Sequence, residues 1–268
     1  MMQRRRNGTM SLTLGLVLAA ALGLGGCANL SQGGDGGGDV ERYTSQNREA
    51  AKVNTELAAG YMERDELKVA MEKIRRAIDY DNGYAQAHHV HALLLDRLGE
   101  ERKAGEAYRK AHRLDDDDPG VANNYGGYLC RQGEYDRAQA LFRTAYDDAL
   151  YETPEFALVN SGRCYQRAGD HEQALVQFRR AIDEGARRPD ALRGLAQALY
   201  ETGEVDEAAD VMQRYERRFR HTPASLATAI RIDKARGDDQ ALANHRLILR
   251  GRFPDSPEAK AMQDGGNE

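Results

Sequence analysis

Three cysteines, three closely spaced histidines and four consecutive aspartates are the residues of this 268-residue chain whose types suggest chemistry. His88, His89 and His91 offer ring nitrogens to a metal. On a helix, however, only His88 and His91 share a face, and no Cys, Asp or Glu stands at a spacing that would complete a closed site. His91 is expected to pack against a neighbouring helix instead. The run Asp115, Asp116, Asp117, Asp118 lacks the alternating ligands, the glycine and the terminal Glu of a calcium loop, and reads as a solvated turn leading into Pro119. No GxSxG, no HExxH, no phosphate-cradling loop and no GxGxxG after a strand is present. The sequence therefore predicts no catalytic residue, no metal ligand, no cofactor and no small-molecule substrate.

The cysteines have different settings. Arg4, Arg5 and Arg6 precede an uncharged run from Leu12 to Leu24, which ends in Leu24, Gly25, Gly26 and Cys27. That run is too short to span a bilayer but suits the apolar part of a signal peptide. The whole start resembles a bacterial lipobox, which implies cleavage after residue 26 and acylation of Cys27. Several acyl chains on one residue anchor firmly, because each buried methylene is worth about 0.8 kcal/mol. Ala28 stands where retention signals for the inner membrane usually carry Asp, so by resemblance to sorted lipoproteins the destination is the outer membrane, facing the periplasm. Ser31–Asp39 has five glycines and no apolar residue, and residues 27–47 are expected to form a flexible tether.

The rest of the chain is periodic. Gly99, Gly133, Gly169, Gly203 and Gly237 are each followed five residues later by Ala104, Ala138, Ala174, Ala208 or Leu242, at steps of 34, 36, 34 and 34, and Ala70 adds one earlier member. This period marks tetratricopeptide repeats, helix-turn-helix units that cannot bury their apolar side alone. Inside the units the types agree: Gly126, Leu129, Gly133, Ala138, Phe142 and Ala145 match Gly162, Tyr165, Gly169, Ala174, Phe178 and Ala181. Small residues belong where helices cross closely, and the aromatic fills the gap between neighbouring pairs. The fold class expected is all-α, a right-handed superhelical solenoid of six tetratricopeptide repeats over 48–256. The units are placed at about 51–84, 85–118, 119–153, 155–188, 189–222 and 223–256, with a cap and tail at 257–268.

Without Arg4, Arg5 and Arg6, 35 basic residues face 43 acidic ones, a net charge of −8. Such a body is a poor partner for nucleic acid. It has no Trp and 7% aromatic residues, which also argues against a stacking platform for bases. Cys130 and Cys164 fall on the first helices of adjacent units, which pack side by side, so a disulfide is expected in an oxidising compartment. The competing reading is two buried free thiols acting as small apolar residues.

What remains is binding. In a stacked array the first helix of each pair lines the inner surface, and one stripe along it carries Thr55, Ala59, Met62, His89, Leu93, Asn123, Gly127, Arg163 and Gln166, with Asn124 beside it. Small and apolar positions flanked by amides suit an extended or helical segment of a partner protein. Recognition is expected on the first two units, where Ala59, Met62, His89 and Leu93 leave apolar surface.

The lipobox, the polar tether, six repeats, the run Asn123-Asn124-Tyr125-Gly126-Gly127-Tyr128-Leu129 and the closing Arg252-Phe253-Pro254-Asp255-Ser256 together resemble the PilF/PilW lipoproteins of type IV pilus biogenesis. That resemblance implies a pilotin: a monomer that binds pilus secretin subunits, brings them to the outer membrane and promotes their multimerisation. It touches the membrane through its lipid anchor alone. Some members carry a similar cysteine pair. An adaptor for another envelope complex, in outer-membrane protein insertion or cell-wall synthesis, is the alternative function.

Overall fold

The computed structural model describes residues 36–264, and side chains from 44 to 263. The signal peptide, Cys27 and the start of the tether lie outside the described residues. Two units divide the chain, residues 1–41 and 42–268, and the packing that follows belongs to the second. The elements are α1 (Gly36–Glu63), α2 (Leu67–Tyr80), α3 (Ala85–Arg97), α4 (Glu101–Leu114), α5 (Pro119–Arg131), α6 (Tyr135–Asp147), α7 (Pro154–Ala168), α8 (His171–Asp183), α9 (Pro189–Glu201), α10 (Val205–Glu216), α11 (Pro223–Arg236), α12 (Asp239–Arg252) and α13 (Pro257–Asp264). No strand occurs among the described residues. Helix α1 begins at Gly36, whereas the tether was expected to extend to 47. Residues 40–47 hold neither Gly nor Pro, which lets the helix propagate backward from its packed half through that stretch.

Local chemistry sets the boundaries. Proline occupies the first turn of α5, α7, α9 and α11, where its missing N–H costs no hydrogen bond. Asp118, Asp170 and Asp238 cap α5, α8 and α12 by accepting from Val121, Gln173 and Ala241 backbone N–H groups. Thr222 and Ser225 form a reciprocal capping box on α11. The turn within each pair needs a left-handed residue. Gly99, Gly133, Gly169, Gly203 and Gly237 supply it at φ between +70° and +88°, and in the first pair Asp65 takes the same place at φ +62°.

The repeating alanines Ala70, Ala104, Ala138, Ala174 and Ala208 are all fully buried. Each lets its helix approach the partner closely, and an aromatic then locks one pair to the next. Phe178 shows how: a Cβ on Gly162 of its own pair would lie 3.0 Å from its ring, and one on Gly194 of the following pair 2.4 Å. Only glycine leaves room on both sides. In the second and third pairs, Tyr108 stacks on Tyr125 with centroids 5.9 Å apart, and Tyr128 closes on Tyr108 at 5.5 Å. The first helices α3, α5, α7, α9 and α11 meet one another in sequence, as well as meeting their own partners and the preceding second helices. They therefore form one continuous row, the inner face of a solenoid of tetratricopeptide pairs.

The final pair is held differently. Of α12, only Leu249 is buried. His245 on α12 bonds Asp233 of α11 at 2.7 Å and lies 3.2 Å from Glu216 at the end of α10. Those two carboxylates raise its imidazole to about 9, so it is a cation held between them.

Candidate functional site

A depression of about 180 Å³ opens on the inner row where α3, α5 and α7 lie side by side. Its lining includes Leu93, Asn123, Gly127 and Arg163, four positions of the stripe read from the sequence, and Asn124 beside it. Its floor amides are already paired between repeats. Asn124 Nδ2 lies 3.0 Å from His89 Nε2, and Asn160 donates to Asn123 Oδ1 at 3.0 Å. These bonds fix the side chains before any partner arrives, so little rotamer entropy is left to lose on binding. Gly127 leaves a gap with only the Arg131 guanidinium nearby, and Leu93 supplies apolar surface. The Cys130 and Cys164 sulfurs are joined in the structure, with Cα atoms 5.7 Å apart, and the bridge ties α5 to α7 beneath the depression.

The motif Asn123–Leu129 thus divides its labour by residue. Asn123 and Asn124 make the cross-repeat bonds, Tyr125 and Tyr128 build the aromatic stack, and Gly126 admits Phe142, which a Cβ would meet at 3.0 Å. Tyr128 fits because its neighbour is Gly105, where a Cβ would sit 2.3 Å from its hydroxyl.

The other stripe positions do not open into this depression. Thr55 is 3% exposed and its hydroxyl is used by the Ala51 carbonyl one turn back, so it has nothing to offer a partner. Ala59 and Met62 pack half-buried against the cluster of Ala58, Ile74 and Leu94. His89 is buried, and burial holds its imidazole below the ordinary value, so it serves as a neutral acceptor within the row. Gln166 donates to the Gly194 carbonyl at 3.2 Å and joins α7 to α9. His88, bonded through Nε2 to Asn82, and His91 line a separate depression between α2, α3 and α4 together with Arg75, Lys103, Lys110, Glu100 and Glu106. Burial and the charges of His88 and Arg75 lower His91 to about 4.

Basic residues on the walls were missed by the sequence reading. Arg131 and Arg167 line the depression with Arg163. Arg97, Arg131 and Arg167 recur just before the turn of successive units, a signal visible in the spacing. Arg97 pairs with Asp65 and Arg131 with Asp96 of the preceding unit. In the third unit Cys130 occupies the place of Asp96, and neither Arg167 nor Arg163 has a carboxylate partner among the described residues. Next along the row, burial and the nearby Arg163 push the Arg193 guanidinium below its usual range. An acidic protein thus presents a local excess of positive charge on its inner face.

Family models of the tetratricopeptide repeat match residues 85–118, 119–183 and 159–223. Among solved structures, PilW, described as a widely conserved type IV pilus biogenesis factor, superposes with a TM-score of 0.74 at 28% identity, covering 80% of this chain and 98% of PilW. The structure of Pseudomonas aeruginosa PilF gives 0.73 at 27% identity, over 82% of this chain and 99% of that one. In sequence, the type IV pilus assembly protein PilF of Pseudomonas aeruginosa is 28% identical over 255 residues, 95% of this chain and 99% of the relative. The chain belongs to the PilF/PilW family of tetratricopeptide-repeat proteins. Like other arrays of this repeat, this PilF/PilW family member presents an interaction surface built on stacked helices, the architecture of a scaffold. No helix among the described residues is long and apolar enough to cross a membrane.

Proposed function

We propose that this chain is a lipid-anchored, non-catalytic scaffold of type IV pilus assembly, held at the periplasmic face of the outer membrane through Cys27. Its inner row takes up a segment of the pilus secretin subunit and promotes secretin multimerisation. The observation that carries this reading is the similarity to the type IV pilus assembly protein PilF, which extends over 99% of that relative. The site chemistry adds detail. Prepaired amides at Asn123, Asn124 and Asn160 give a rigid floor, Leu93 gives an apolar hold, and the unpaired Arg163 and Arg167 favour a segment bearing carboxylates. Anchoring raises the local concentration of a weakly held partner without adding a contact.

The test is complementation of a deletion strain. Loss of heat-resistant secretin multimers and of surface pili, restored by the wild-type gene, is the expected result. Arg163→Glu combined with Arg167→Glu should give a folded protein that restores neither. Normal secretin multimers in the deletion strain would remove the secretin reading. Full rescue by the charge-reversed protein would remove this depression from the site.

A further inference from the structure

Glu216 ends α10, His221 lies in the following turn, and His245 projects from α12. His245 is well separated in sequence from the other two, yet one ligand atom from each lies within 4.8 Å of the other two. His245 Nε2 is 3.2 Å from Glu216 Oε1, and His221 Nε2 is 3.6 Å from the same oxygen. Ligand atoms on a tetrahedral zinc ion, with bonds of about 2.0–2.1 Å, stand about 3.3–3.4 Å apart. The two separations from Glu216 bracket that value.

Orientation adds a second, independent feature. His245 Nδ1 bonds the Asp233 carboxylate at 2.7 Å, and His221 Nδ1 lies 3.2 Å from the hydroxyl of Ser225, which is fully buried. Each imidazole thus has its Nδ1 engaged by an oxygen and its Nε2 turned toward Glu216. Metal-binding histidines are held this way, one nitrogen on the ion and the other on an outer oxygen that fixes the ring. Charge agrees as well: Glu216 and Asp233 together balance a dication, and the side chains of both histidines are 13% exposed, leaving an approach for solvent ions. Two imidazoles, one carboxylate and an open position form a borderline nitrogen and oxygen set, which suits zinc and disfavours the all-oxygen preference of calcium and magnesium.

We propose that Glu216, His221 and His245 bind a zinc ion that clasps α10, the turn before α11, and α12 together, with Asp233 and Ser225 orienting the two rings. The ion replaces the proton that otherwise bridges His245 and Glu216.

The purified full chain in detergent, stripped with a chelator, is titrated with Zn²⁺ against a competing dye and separately with Co²⁺, whose visible absorption reports four-coordinate binding. One tight equivalent per chain, a tetrahedral cobalt spectrum and a higher thermal midpoint with zinc are expected. His221→Gln is the main variant, because it leaves the Asp233–His245–Glu216 bonds in place. It should weaken zinc binding by at least about 100-fold, and Asp233→Asn by about 10- to 100-fold. Absence of a tight equivalent, or zinc affinity unchanged in both His221→Gln and Glu216→Gln, would overturn the site.

Discussion

From the second pair to the fifth, neighbours meet through a tyrosine stack, Phe142, the Cys130–Cys164 bridge and Phe178, whereas in the last pair α11 packs Leu226, Ala229 and Ile232 but α12 adds one buried leucine and the bonds of His245 to Asp233 and Glu216. Helix α9 buries seven residues, and α12 buries one. In a solenoid each unit touches only its neighbours, so stability is close to a sum of local terms. The contrast teaches that the middle is held by shape, which solution conditions scarcely alter, and that α12 adds to a smaller apolar contact a charged one, which they do alter. Opening should begin at α11–α13 and reach α5–α9 last.

The strongest way to break this contrast is Phe178→Ala. Removing a fully buried ring that links two pairs should cost about 3–5 kcal/mol in denaturant unfolding. Amide exchange in α12 as slow as in α7 would equally defeat the comparison. Replacing Cys130 and Cys164 together by serine should cost about 2–4 kcal/mol, and thiol titration of denatured, unreduced protein should find neither of these two sulfurs reactive. Gly194→Ala comes next, with a loss of about 1–3 kcal/mol from overpacking against Phe178, although alanine is the better helix former. Gly60→Ala, where an added Cβ meets nothing within 4 Å, should instead stabilise by about 0.4–1 kcal/mol. A loss at Gly60 or a gain at Gly194 would show that propensity outweighs packing here.

An effect of similar size concerns acid. His91 stays neutral in the fold down to about 4 but takes a proton at about 6.5 once unfolded, so the unfolded chain binds more protons between those values. Stability from this residue is complete above pH 6.5 and lost as pH falls toward 4. His91→Gln should flatten that part of the curve by about 1 kcal/mol, measured by urea unfolding at a series of pH values.

Much of the architecture could be read from spacing, because close helix crossing demands a small residue at the same place in every unit. The five buried alanines and the left-handed glycines are that demand written out. The inner depression was half legible. Leu93, Asn123, Asn124, Gly127 and Arg163 converge there, but a stripe position shows only which way a side chain points. Thr55 bonds its own helix and His89 is covered by Asn124, and such outcomes depend on neighbours that helical periodicity does not describe. The cluster of Glu216, His221, Asp233 and His245 was illegible, since its members meet only when α12 folds back on α10 and α11.

The sulfur bridge closes a loop of 34 residues around α6 and most of α7. Pulled from its two ends, the oxidised chain would stop short of the reduced one by about 115 Å, at roughly 3.4 Å per residue. A protease or translocase pore threading the protein from its N-terminus would have to admit two strands abreast on reaching the end of α5. Reduction would turn that obstacle back into a single thread.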